Sequence, residues 1–512
     1  MMRTAGIVVA ATLALATMTG CAPKAARPVV SPATAPSSSR PSSQLDQLQR
    51  DLRVIFTAAD VDHANWSVAV RSLKTDELLF AMNANRMLTP ASNQKLITAA
   101  VAAERLGWDY TYSTKIYATG RQTGGDLDGD LVIVSNGDPT INPRHPERWG
   151  AFDAWAKQLY DKGIRRISGQ LIGDDNAFAE PGWGIGWSWD DLAVGYGAAV
   201  GALQYNENAV DLVIGPGLEA GRRAIVTESP RGGGLVVEST VTTAAADQPN
   251  RVSVDRAPGA NLIKVSGQMA LGAKPVSVDV AAPNPTLLYV NAFREALARN
   301  GIFVGGGSLD IDDAHAKPDY STAILLLEDR SSPLSAIIDA NLKWSLNEYS
   351  ETLLRSIAGA ETEASDAAGL AKLNETLRQW GIPGELYVAR DGSGLSRNDY
   401  VAPDALIALL THVWKDARLK DTFQSTLPQA AVSGTLANRM KNTVAAERVW
   451  AKTGSMSNVR SISGYLLTLD GEPIVFSFLT NGYHVADSRV EAVMDEALVR
   501  LVKFPRPLHE EH

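Results

Sequence analysis

The stretch Thr89-Pro90-Ala91-Ser92-Asn93-Gln94-Lys95-Leu96-Ile97 opens a helical pattern that runs to Leu106 and stops at Gly107. Leu96, Ile97, Ala100 and Val101 form its apolar face, with proline just before the start and glycine just past the end. Serine and lysine three apart in a first turn meet on one side of the helix. A serine hydroxyl is a poor nucleophile until a base takes its proton. Lysine serves as that base only when neutral, which requires its pKa to fall from about 10.4. A helix N-terminus disfavours a cation, and a second lysine brought close would add repulsion. Alone, the string is better read as a capping serine beside a solvated lysine.

Two later strings change the balance. Ser345-Leu346-Asn347 precedes a helical pattern carrying Leu353, Leu354 and Ile357. Its hydroxyl can relay a proton toward a leaving amine and its amide can bind a substrate amide, where a plain turn would use both residues as caps. Lys452-Thr453-Gly454 ends a strand-like run from Val449. Lys452 and Thr453 offer a charge and a hydroxyl for a carboxylate, and Gly454 lets a substrate backbone lie close. The N–H of Ser455, beside that of Ser92, would make a two-donor oxyanion hole. The chain has no G-x-S-x-G, so a Ser-His-Asp arrangement is the weaker reading.

Composition bounds the rest. With 512 residues, 45% hydrophobic and 21% charged, the chain is a folded protein of two or three domains. A net charge of -9 argues against a nucleic-acid surface. The seven histidines are scattered, with only His509 and His512 close together, and the single cysteine excludes an intrachain disulfide. No metal or cofactor is expected.

Residues 1–20 read as a signal peptide: Arg3, an apolar run, then small residues. Met18-Thr19-Gly20-Cys21 resembles a lipobox with methionine in place of the usual leucine, so either Cys21 becomes a lipid-modified terminus or an ordinary signal is cut nearby. Residues 21–44 include a Pro/Ser-rich tether. No other segment is an uninterrupted apolar run of about eighteen residues, so the only expected membrane attachment is this lipid anchor.

Outward from the serine helix, a helix begins near Leu45, strands cover 66–71 and 78–80, and two more, 459–469 and 473–479, join through Asp470-Gly471. A last helix covers 488–502. Elements from both chain ends predict an α+β sandwich, an antiparallel sheet between helices. The middle is rich in Gly, Val and Asp, with β-like runs at 131–134 and 262–265 and one clear helix, 285–299. It reads as a largely β, two-lobed insertion. The expected division is a core of 45–112 with 322–505, one lobe of 113–210 with 280–321, and a second lobe of 211–279.

The S-x-x-K, S-x-N and K-T-G set resembles that of penicillin-binding proteins and β-lactamases. Thr89-Pro90-Ala91-Ser92, Gly137-Asp138-Pro139-Thr140, Trp187-Ser188-Trp189-Asp190-Asp191-Leu192, Asp391-Gly392-Ser393-Gly394-Leu395-Ser396 and Ala451-Lys452-Thr453-Gly454 narrow the likeness. They resemble the class C, low-molecular-mass penicillin-binding proteins of peptidase family S13, D-Ala-D-Ala carboxypeptidases and endopeptidases. The resemblance implies a penicillin-binding-protein fold with its large insertion. It also implies Ser92 as acylated nucleophile, Lys95 as base, and Ser345, Asn347 and Lys452 completing the set. Its implied partners are peptidoglycan stem peptides and crosslinks, with β-lactams as covalent inhibitors, outside the cytoplasmic membrane.

Two other readings stand beside it. A class A β-lactamase would carry E-x-x-L-N between Asn347 and Lys452, and no such string is present. A non-catalytic scaffold of the same fold would have no use for the intact set. Asp191 is a candidate contact for a substrate amine, because it sits among Trp183, Trp187 and Trp189; the alternative is that these tryptophans are lobe core and Asp190 and Asp191 cap a turn.

Overall fold

The computed structural model describes residues 43–257, 259–359 and 364–504. The signal-like leader, Cys21, the tether up to Ser42, and His509 and His512 lie outside the described residues.

The core is built on a five-stranded antiparallel sheet ordered Leu78–Met82, Asn65–Ser72, Pro473–Asn481, Val459–Leu467 and Val449–Met456. Val68, Val70, Phe476 and Phe478 point to one face, where they meet Leu48, Leu52 and Phe56 of helix Gln44–Phe56 and Val490 and Leu498 of helix Asp487–Val502. Ala69, Val475 and Leu479 point to the other, against Leu96 of helix Gln94–Leu106, Ile337 of Leu334–Trp344, Leu354 of Asn347–Ser356 and Leu406 of Pro403–Lys415. Both faces are covered, so the central strands read as nearly continuous apolar runs. This is the α+β sandwich that the sequence predicts.

Between Gly107 and the helix Leu334–Trp344 the chain builds the insertion. One lobe holds a five-stranded sheet ordered Ser308–Asp310, Leu171–Asp174, Leu131–Ser135, Ser113–Ala118 and Ile324–Arg330. The other holds a three-stranded sheet centred on Ala209–Gly215 and a four-stranded one centred on Leu262–Ala270. Val210, Leu212, Ile263 and Val265 fill the space between these two sheets.

The structure moves several expected edges. Ile324–Arg330, placed on the core side by a boundary at 321, pairs with Ser113–Ala118 and completes the inserted sheet. A second helix of the insertion, Ala151–Asp161, buries Phe152, Trp155, Ala156 and Leu159. Their i, i+3, i+4, i+7 spacing carries the signal, which a Gly at the N-cap and no capping side chain obscure. The strand over 459–469 stops at Leu467, because Thr468 Oγ1 accepts from Glu472 N and closes a wider turn around Asp470-Gly471.

Candidate active site

Ser92 is not yet in the α-helix. It lies in a short 3-10 turn, Ala91–Asn93, after which Gln94–Leu106 begins. Ala91 is held at φ 47, a left-handed conformation that a residue with a Cβ rarely adopts. Three contacts fix this turn: Asn93 Nδ2 donates to Lys452 O at 2.9 Å, Ser461 Oγ to Pro90 O at 2.6 Å and Thr98 Oγ1 to Gly392 O at 2.7 Å. Gly394, at φ +82, faces it so tightly that a Cβ there would overlap Ala91 O and stand 2.9 Å from the Gln94 Cβ. Glycine is required at that point.

Lys95 is fully buried, and its Nζ donates to Ser92 Oγ at 3.0 Å, Asn347 Oδ1 at 2.6 Å and the Ser393 carbonyl at 2.7 Å. Burial lowers its pKa to about 8, while Asp391, Glu351 and Asp399 act in the opposite sense. Desolvation is therefore the leading cause, ahead of the helix dipole and the second lysine weighed from sequence.

Ser345 ends helix Leu334–Trp344 in the left-handed region, at φ 62, and Asn347 opens the next helix. The kink turns Ser345 Oγ toward Lys452 Nζ, which donates to it at 2.8 Å and to Thr453 O at 2.7 Å. Burial, with Lys95 nearby, pushes the Lys452 amine well below the ordinary lysine range. Asn347 Nδ2 donates to Tyr196 O at 2.9 Å, so one of its two N–H groups remains for a ligand.

Lys452, Thr453 and Gly454 do not end their strand; they sit inside Val449–Met456. Thr453 Oγ1 donates to Thr435 Oγ1 at 2.8 Å. At Gly454 the close neighbours are the protein's own atoms: a Cβ would overlap Ser461 Oγ and stand 2.6 Å from Pro90 O and 2.9 Å from Ser92 N. The missing side chain lets the strand lie against the serine turn, with Ser455 exposed at the cleft.

Beneath this group lies a carboxylate cluster, of which only Asp391 stands in a stretch singled out from the sequence. Glu351 accepts from Ser393 N at 2.8 Å and Gly392 N at 3.0 Å. Asp391 accepts from Gly394 N and Ser396 N, each at 2.7 Å, and from Trp187 Nε1 at 2.9 Å. Burial, then the neighbouring Asp391, pushes Glu351 and Asp399 upward. The cluster holds the 391–396 loop, and that loop presents its Ser393 carbonyl to Lys95.

The insertion closes the other side. Trp183 and Trp189 are 40% and 69% exposed, so neither is lobe core. Asp191 accepts from Tyr196 Oη at 2.6 Å and lines a cavity of about 270 Å³ with Ser92, Ser345, Asn347, Arg397 and Ser455. Of the candidates, Ser92, Ser345, Asn347, Ser455 and Asp191 line this cavity, while Lys95 and Lys452 are buried behind it, hydrogen-bonded to Ser92 and Ser345. Arg397, Tyr196 and Glu351 are neighbours that sequence reasoning missed. Arg397 directly follows a stretch singled out for its resemblance.

The D-Ala-D-Ala carboxypeptidase 3 (S13) family model matches residues 48–503, and the chain belongs to that family. A D-alanyl-D-alanine carboxypeptidase of Actinomadura sp. (strain R39) is 33% identical over 93% of this chain and 87% of the relative. The D-alanyl-D-alanine carboxypeptidase DacB of Haemophilus influenzae is 26% identical over 88% and 91%. The crystal structure of penicillin binding protein 4 (dacB) from Haemophilus influenzae superposes with a TM-score of 0.75 at 26% identity, covering 88% of this chain and 98% of that one.

Proposed function

We propose that this member of the S13 family is a serine D,D-peptidase that removes the terminal D-alanine from peptidoglycan stem peptides and cuts D,D-crosslinks through an acyl-Ser92 intermediate. The observation that carries this reading is the fully buried Lys95 amine, its pKa lowered to about 8, 3.0 Å from Ser92 Oγ.

In its neutral form Lys95 takes the Oγ proton as Ser92 attacks the carbonyl carbon. The oxyanion is received by the N–H groups of Ser92 and Ser455, brought together where Gly454 lets the two backbones touch. Lys452 and Thr453 hold the substrate's terminal carboxylate, and the remaining Asn347 N–H binds its amide. As the tetrahedral species collapses, the leaving amine takes a proton from Ser345 Oγ, which Lys452 resupplies across 2.8 Å. The proton that Lys95 took makes good the one Lys452 gave, so Lys95 is neutral again; it then takes a proton from the water that attacks the ester and returns it to Ser92 Oγ. Penicillin enters the same first half and stays attached, because its leaving nitrogen remains tethered in the adduct. Asp191 faces the same cavity and pairs with a free amine on the stem's diamino acid.

The enzyme works outside the cytoplasmic membrane, tethered through a lipid-modified Cys21. Mass spectrometry of the mature N-terminus tests this, and an unmodified terminus beyond Cys21 removes the anchor. A fluorescent penicillin tests the activity. A long-lived adduct supports the peptidase, rapid release of hydrolysed penicillin turns the reading to a β-lactamase, and no adduct turns it to a scaffold.

A further inference from the structure

Beside the catalytic cavity lies a second, larger cleft of about 750 Å³. One wall is the helix junction Trp344–Glu348; the other is the insertion, including Tyr196, Glu207, Asp211, Ser277 and Asp279. The two spaces share Tyr196, Ser345 and Asn347, so they meet at the residue that serves the leaving amine. We propose that this cleft receives the departing peptide strand of a crosslinked substrate, with the Glu348 carboxyl meeting an N–H donor on that strand. The inference rests on the reading of Ser345 given above.

Three observations support it. Whatever leaves does so on the Ser345 side, and a lone D-alanine is far too small to occupy about 750 Å³, whereas a second stem peptide is not. Glu348 is only 7% exposed, yet neither carboxyl oxygen has a hydrogen-bond partner among the described residues. Such a group is costly to leave alone in a protein interior, and a ligand in the cleft is what supplies the missing partner. The walls also carry an excess of acceptors. Glu207 is matched by Arg144 at 2.5 Å, which leaves Asp211 and Asp279 with no cation to match them among the described lining residues; Asp211 accepts only from Ser277, at 2.8 Å. A strand dense in carboxylates is repelled there, and one offering N–H groups is favoured. Those groups come either from amidated carboxyls or from the strand's own peptide bonds.

The test uses the full-length protein and four reagents: a stem peptide ending in D-Ala-D-Ala, a D,D-crosslinked dimer with free carboxylates, the same dimer amidated in its leaving strand, and fluorescent penicillin. Ser277→Trp narrows the cleft from the insertion side, and Glu348→Leu removes the unpartnered carboxyl. Ser277→Trp is expected to lower kcat/KM on both dimers at least tenfold while the single stem changes less than twofold. Glu348→Leu is expected to lower dimer cleavage about tenfold, chiefly through KM. If Glu348→Leu does not fold, Ser277→Trp decides alone. A wild-type preference for the amidated dimer that Glu348→Leu abolishes assigns the donor to a carboxamide; equal loss on both dimers assigns it to the backbone. Equal losses on dimer and single stem, or no loss on the dimers, overturn the inference. A wild-type protein that cuts the single stem but not the dimers also overturns it, with the carboxypeptidase reading intact. One that neither takes penicillin nor cuts any peptide removes that reading as well.

Discussion

The two walls of the catalytic cavity are made in opposite ways. On the core side, Lys95, Lys452, Asp391, Ser393 and Ser396 are essentially sealed from water, and backbone atoms supply much of the hydrogen bonding. On the insertion side, Trp189 is 69% and Tyr196 50% exposed. Bond-making groups have to be dry and fixed, since a lysine in water stays protonated and a hydroxyl in water stays solvated. Recognition groups have to admit a varied peptide. Core-wall changes should therefore abolish chemistry on every substrate, and insertion-wall changes should separate one substrate from another.

The largest effect tests the core wall directly. Ser92→Ala should eliminate both penicillin labelling and peptide cleavage with an unchanged circular-dichroism spectrum; residual labelling would assign the nucleophile elsewhere. Next comes Gly394→Ala, where the added Cβ meets Ala91 O and the residue sits at φ +82. We expect a loss of about 2–3 kcal/mol in unfolding free energy, with acylation slowed at least as much as the two backbones part. Normal acylation in this variant would show that the serine turn does not depend on the 391–396 loop.

The pH profile is a third way to sharpen the contrast. If neutral Lys95 is the base, as proposed, then with its pKa lowered to about 8 the acylation rate should rise roughly tenfold per pH unit below that value and level off above it. Glu351→Gln removes one of the carboxylates that counter this lowering, so the midpoint should move down. A midpoint near the free-lysine value would break the reading of Lys95 as base. The smallest effect lies on the insertion wall. Asp191→Asn should reduce cleavage of amine-bearing peptides about fivefold relative to penicillin acylation, the worth of a partly exposed ion pair. Equal loss on both would move Asp191 to the structural side of the comparison.

How much of this was legible in sequence follows the same division. The serine, the lysines and Asn347 stand in short strings whose spacing is local, so helix and strand periodicity places them. The carboxylate cluster is different: Asp391 stands in a quoted stretch, but nothing local ties it to Glu351. Glu351 and Asp391 are far apart in sequence, and only the packing of helix Asn347–Ser356 against the 391–396 loop brings them beneath Lys95. The fate of Ile324–Arg330 was hidden for a related reason: an apolar strand does not reveal which of two sheets it will join. Gly454 was read for the right property, close approach, but toward a ligand, because nothing local announces that Pro90 and Ser92 fill that space.

The central sheet sets an order on assembly. Asn65–Ser72 has Pro473–Asn481 as its neighbour on one side, with Val68 opposite Phe478, so that partner is synthesised about 400 residues later in the chain. Loop closure over such a separation is slow and leaves an apolar strand without its neighbour meanwhile. The insertion has no such wait, since its strands all come from one unbroken stretch between Ser113 and Arg330. It can therefore condense first and shorten the effective loop that the terminal strands must close. Ser92, whose turn is fastened to Lys452 and Ser461, takes its shape only when the strands that carry those two residues arrive.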